Sequence, residues 1–251
     1  MHDKNLQNST LLLARLDNMK ASGSAKDWLA SVVAMPPQSQ LPDQDEVLRD
    51  YLSKGITPLL DEIGFDQKIY ANPIKNAPPL LVAHRHENDV LPTILIYGHG
   101  DVIHAQYEGW HEGLQPFETV ARDGLIYGRG TADNKGQHLI NLLALKAVLD
   151  VQGRLGFNVK FLLEMGEETG SPGLFGFCQT HKDTLKADVL ISSDGPRLDI
   201  DTPTVFLGSR GALNFGLSVD LRPQALHSGN WGGLIADPAI RLTQALSLIH
   251  I

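Results

Sequence analysis

The run T-I-L-I-Y-G (93–98), bounded by Pro92 and Gly98, limits what this chain can fold into more than any other stretch. It is continuously apolar, without the polar alternation of a half-wet strand. That pattern suits a strand buried on both faces of a sheet. N-V-K-F-L-L-E (158–164) and A-D-V-L-I-S (187–192) read as further strands, and residues 66–71 and 80–84 as short ones. Leu139, Leu142, Leu143, Ala147 and Leu149 predict a helix over 137–150. Upstream, residues 5–33 carry apolar side chains at mixed helical spacing until Pro36 and Pro37 end the stretch. Val47, Tyr51, Leu52, Ile56, Leu59, Leu60 and Ile63 then recur near period 3.6, an amphipathic helix closed by Gly64. Asp43 followed by Glu46 resembles its capping box. Strands alternating with helices predict an α/β domain, a mostly parallel central sheet flanked by helices.

At about Gly208 the pattern changes. Leu213, Phe215, Leu217, Val219 and Leu221 alternate strictly, which predicts a strand with one wet face. After a loop at 222–236, Asp237 and Pro238 open a helix carrying Ile240, Leu242, Ala245, Leu246 and Ile249. The expected organisation is a domain over 1–208 and, over 209–251, the first strand and helix of an α+β unit.

A net charge of −8 argues against a nucleic-acid or anionic-membrane partner. No apolar run approaches the roughly 20 residues of a membrane span. The opening MHDKNLQNST lacks a cationic and then apolar leader pattern. One cysteine, Cys178, permits no internal disulfide and fits a reducing compartment. Cys178 lies in an apolar stretch and reads as a small hydrophobe. The expected location is the cytoplasm.

The chemistry gathers at the carboxyl ends of the strands, where open α/β sheets place ligands. His99-Gly100-Asp101 follows one strand, Glu167-Glu168 another, and Asp194 a third. Asp133 follows the turn G-R-G-T-A and precedes Asn134-Lys135-Gly136 at a helix start. A lone His-x-Asp or Glu-Glu is usually structural or solvated; four such junctions in equivalent places point to a metal site. Imidazole with carboxylates suits zinc, with cobalt or manganese as substitutes. A carboxylate can also bridge two ions that activate one shared water. His84, His86, His104, His111, His138 and His181 match no motif and read as surface or satisfied core histidines.

The motifs G-H-G-D-V (98–102), G-R-G-T-A-D-N-K-G (128–136), E-M-G-E-E-T-G-S (164–171) and S-D-G-P (193–196) resemble the aminoacylase/carnosinase/glutamate-carboxypeptidase family of dinuclear zinc metallopeptidases. L-H-S-G-N-W-G-G (226–233) is similar to that family's lid segment, nearest the carnosinase-like dipeptidases. The resemblance implies two zinc ions: His99 and Asp194 on the first, Asp133 bridging, Glu168 on the second. It implies that Asp101 orients the His99 imidazole and that Glu167 is the general base. A metal-bridging water would attack the amide carbonyl, and Glu167 would carry its proton to the leaving amine. His227 would stabilise the oxyanion from the lid of the other subunit of a homodimer. The peptide joining Asp133 to Asn134 is implied to be cis, and the substrates small peptides or N-acyl amino acids.

The resemblance also implies a chain that ends inside its lid, before a last His ligand, which leaves the second metal site incomplete. His250 falls at the end of a lid helix and is not expected to replace that ligand. The competing reading is a non-catalytic fragment that binds a single metal or a peptide. A two-metal phosphoesterase is a third, disfavoured by the order of the motifs.

Overall fold

Helix α1 (His2–Ala21) and α2 (Ser24–Val33) open the chain. The computed structural model describes residues 2–195, 197–199, 201–208, 210–213 and 215–248. Ile249 and His250 lie outside them. Next comes one helical run in three parts: α3 (Asp45–Asp50), a π-helical turn (Tyr51–Ile56) and α4 (Thr57–Glu62). The capping box is not formed. Asp43 adopts a left-handed conformation (φ 56°), and the N-cap is Gln44, with no side-chain cap bond. Asp tolerates that conformation in turns. Gly64 (φ 70°) ends the run, its amide reaching the Asp61 carbonyl.

Five strands make the central sheet: β1 (Asp66–Tyr70), β2 (Leu80–Arg85), β3 (Thr93–His99), β6 (Asn158–Glu164) and β7 (Val189–Ser192), in the order β1-β2-β6-β3-β7. A separate hairpin pairs β4 (Val120–Arg122) with β5 (Leu125–Tyr127). β3 is parallel to β6 and β7, while β2 is antiparallel to both β1 and β6. Four of the five strands therefore point one way. Registers His99↔Glu164 and Tyr97↔Ser192 bring the carboxyl ends of β3, β6 and β7 to one edge.

Side chains alternate across this sheet and feed two cores. Leu81, Ala83, Ile96, Phe161 and Leu163 face a large cluster holding Tyr51, Leu52, Ile56 and Leu60 together with Leu139 and Leu142 of α5 (Lys135–Gln152). Leu80, Val82 and Leu162 face Phe177 of α6 (Leu174–Thr180) and Leu185 of α7 (Lys182–Leu185). Each fully buried Leu or Phe contributes about 1.5–3 kcal/mol by leaving water. Packing on both faces is why these strands read as continuous apolar runs. Cys178 packs partly buried at the edge of the smaller cluster.

The chain divides into two compact units, 1–196 and 197–251. In the second, α8 (Ser228–Trp231) and α9 (Pro238–Leu246) are the helices. Asp237 caps α9, its Oδ1 accepting from the amides of Ala239 (2.7 Å) and Ile240 (3.2 Å). The strand expected over 213–221 is absent among the described residues. Leu213, Phe215, Leu217 and Leu221 are exposed, and no second strand pairs with the segment. Alternation alone does not make a strand, because a ladder needs a hydrogen-bonded partner. No described helix is long and apolar enough to cross a membrane.

Candidate metal centre

His99 ends β3 with its ring fully buried. Its Nε2 stands 2.9 Å from Asp133 Oδ1, 3.7 Å from Asp194 Oδ1 and 3.9 Å from Glu167 Oε2. One donor atom each from His99, Asp133 and Asp194 lies within 4.8 Å of the other two, and among the described residues this is the one such group. Donors about 2.1 Å from a tetrahedral ion stand roughly 3.4 Å apart, so these three fit a zinc-like cation after small side-chain adjustments. Asp133 leaves a turn whose peptide to Asn134 is cis, and two-thirds of its side chain faces solvent. Asp194 follows β7.

Behind His99 sits Asp101, fully buried. His99 Nδ1 lies 3.0 Å from the Asp101 carbonyl oxygen and 3.3 Å from its Oδ1. The Asp101 carboxylate accepts from Ser39 Oγ (2.6 Å) and from the amides of Glu167 (3.2 Å) and Glu168 (3.1 Å). It thus ties the loop after β6 to the residue in contact with the His99 ring. Gln40 donates to the Glu168 carbonyl oxygen at 3.0 Å. Glu168 itself is not among the converging donors.

Burial works against a charged His99, yet the Asp101 and Asp194 carboxylates outweigh it and raise the imidazole to about 11. The neighbouring His99 imidazole holds Asp194 below the usual carboxylate range. Burial, and then the charge of Asp133, pushes Glu168 up to about 7. Burial also raises Glu167, with His99 opposing and Asp194 adding to the rise. Carboxylates crowd a partly dry site beside His99, and their shifts follow from that crowding and burial.

Several residues around this site are given no role by the sequence reading, whether they lie outside its motifs, as Ser39 does, or inside them, as Glu164 and Lys135 do. Ser39 holds Asp101. Glu164 is buried at the end of β6, accepting from Tyr97 Oη (2.6 Å) and Ser171 Oγ (2.9 Å), and burial raises its pKa. Lys135, also buried, donates to the carbonyls of Val32 (2.9 Å) and Met35 (2.7 Å) and so pins α5 to the end of α2. His138 is a hydrogen-bonded core histidine. His84 and His86 lie near Asp66 (3.8 Å) and Asp89 (3.1 Å), and His181 stacks on Phe177. His227 belongs to the second unit, where it caps α8 and accepts from the Gly229 amide at 3.1 Å.

An imidazole and carboxylates converging at the carboxyl ends of parallel strands define a metal-centre class of α/β protein. Residues 95–240 match the family described as Peptidase family M20/M25/M40, and the chain belongs to that family. Beta-Ala-His dipeptidase of Rattus norvegicus is 36% identical over 172 residues, which cover 67% of this chain and 35% of the relative. Cysteinylglycine-S-conjugate dipeptidase of Corynebacterium striatum is 32% identical over 196 residues, 77% of this chain and 42% of the relative. Among solved structures, the dipeptidase Dug1p of Saccharomyces cerevisiae superposes with a TM-score of 0.73 at 26% identity, covering 95% of this chain and 52% of that one. Human carnosine dipeptidase 1, at 24% identity and a TM-score of 0.74, shares the fold. The chain spans about half the length of these solved structures and less of the sequence relatives.

Proposed function

We propose that this chain forms the metal-binding part of a hydrolase of small peptides or N-acyl amides. The convergence of His99, Asp133 and Asp194, with Glu167 Oε2 3.9 Å from His99 Nε2, carries the reading. The donor set suits zinc, with cobalt or manganese as substitutes. His99 and Asp194 would hold one ion, Asp133 would be shared, and Glu168 would serve a second. When bound, such ions polarise the scissile carbonyl and acidify water. Asp101 keeps the His99 ring oriented. Glu167, raised by burial, takes a proton from the attacking water and returns it to the leaving amine. Residues 209–251 would begin a lid in a cytoplasmic homodimer, and the partner's His227 would steady the oxyanion.

A second reading is a non-catalytic binder of one metal or a peptide. It rests on the second metal lacking the last His ligand that the family resemblance implies. Metal analysis after dialysis against zinc, paired with a dipeptide hydrolysis assay, separates the two. Two ions per chain with turnover support the hydrolase, one ion without turnover supports the metal binder, and no retained metal overturns both of these and leaves only peptide binding.

A further inference from the structure

The ladder between β3 and β7 ends at Tyr97↔Ser192, two residues before His99 on one strand and two before Asp194 on the other. Beyond that pair, the buried Asn134 side chain fills the gap. Its Oδ1 accepts from the His99 amide at 3.3 Å, and its Nδ2 donates to the Ser193 carbonyl at 2.6 Å and to Asp194 Oδ1 at 2.9 Å. A backbone N–H only donates and a carbonyl only accepts, so these partners leave one orientation for the amide. The side chain stands in for a peptide group between the two strand ends, beyond the last paired residues.

The same oxygen meets a second donor. His138 Nδ1 lies 3.2 Å from Asn134 Oδ1, and His138 Nε2 lies 3.1 Å from Tyr51 Oη. Because Oδ1 can only accept, the proton sits on Nδ1. The unprotonated Nε2 then accepts a hydrogen bond from the Tyr51 hydroxyl. Tyr51 and His138 are both fully buried, so no water competes for these bonds. One turn further along α5, Asn141 Nδ2 donates to Ser193 Oγ at 2.9 Å. The helix that starts at Asn134 thus grips the β7 end twice.

We propose that Asn134 is a positioning residue of the metal centre, fixing the separation of the His99 and Asp194 donors, and that His138 holds the Asn134 amide in the required orientation. The proposal rests on the metal reading above. Partners of this kind, standing behind the ligands, change metal affinity by about 10–100-fold when removed.

Cobalt titration of the purified chain, read from its visible absorption bands and from competition with a chelator, tests this. Asn134→Ala should bind cobalt at least about tenfold more weakly and change the band intensities. His138→Leu should move both in the same direction, and His138→Gln, which keeps a donor for Oδ1, should restore the spectrum. Leu142→Ala, a core change on the same helix, should lower the melting temperature and leave the spectrum alone, which separates positioning from plain stability. If Asn134→Ala and His138→Leu both match the unsubstituted chain, the positioning role is wrong while the metal reading stands. If Asn134→Ala does not fold, His138→Leu decides alone. If the unsubstituted chain takes up no cobalt, both readings fall.

Discussion

Ser39 donates its hydroxyl to Asp101 Oδ2 across 2.6 Å, so a residue between α2 and α3 completes the carboxylate behind His99. Without that hydroxyl, Oδ2 keeps only the Glu168 amide, in a spot sealed from water. Leaving a buried carboxylate short of a donor costs about 1–3 kcal/mol. Ser39→Ala should lower unfolding stability by that amount in urea at pH 7 and weaken zinc retention. Stability unchanged within about 0.5 kcal/mol would mean that the bond contributes nothing, since surface changes usually fall inside that range.

Neighbouring carboxylates should separate in their effects. Glu167 stands 3.9 Å from His99 Nε2 and is proposed to move protons; Glu168 is proposed to hold metal. In a full-length version of the protein, Glu167→Gln should leave metal content intact and reduce dipeptide turnover by about 10²–10⁴-fold, the usual worth of a positioned base. Glu168→Gln should lower metal content. Loss of metal in the first variant with activity retained would exchange the two roles.

His138 should leave its mark on the acid side of the stability curve. Burial, the largest influence, with His99 and Lys135 adding to it, lowers its pKa to about 3. In the unfolded chain it returns to about 6.5. Between those values the unfolded state binds the extra proton, so stability is full above about 6.5 and falls as pH drops towards about 3. The slope approaches about 1.4 kcal/mol per pH unit, or roughly 2 kcal/mol lost by pH 5. Urea unfolding of chelator-treated protein at pH 7 and pH 5 should show a smaller drop for His138→Gln than for the unsubstituted chain. Parallel curves would contradict the assignment.

What the sequence reveals here follows from where burial is contiguous. Strands β3 and β6 pack on both faces, so burial writes unbroken apolar runs into the chain, and their carboxyl ends expose His99, Glu167 and Glu168 to simple reading. The strand expected at 213–221 failed because pairing is a property of two segments, and alternation describes only one. Asp43 failed for a different reason: the same acidic residue suits an N-cap and a left-handed turn, and local composition does not separate them. The supports of the site were hidden because they act across distance. Ser39 reaches Asp101 over 62 positions, and the Asn134 amide joins strand ends 35 and 60 positions away.

Gly98 tests how tightly that junction is packed. A Cβ at this position would lie 2.8 Å from His138 Cβ and 2.9 Å from Asn134 Oδ1, both inside normal contact. Neither neighbour moves cheaply, since Asn134 is held by its bonds to His99, His138, Ser193 and Asp194, and the His138 atom is next to helical backbone. Overpacking of this kind costs about 1–3 kcal/mol. Gly98→Ala should therefore destabilise the fold by that amount and also weaken cobalt binding, because any shift of the Asn134 amide moves the group proposed to position His99 and Asp194. Combining it with Asn134→Ala removes one of the two clashes. The pair should then be less destabilising than the sum of the single changes, by at least about 0.5 kcal/mol. Urea unfolding of the two single variants and the double variant measures this directly, and strict additivity would show that the strain at Gly98 is not carried by Asn134.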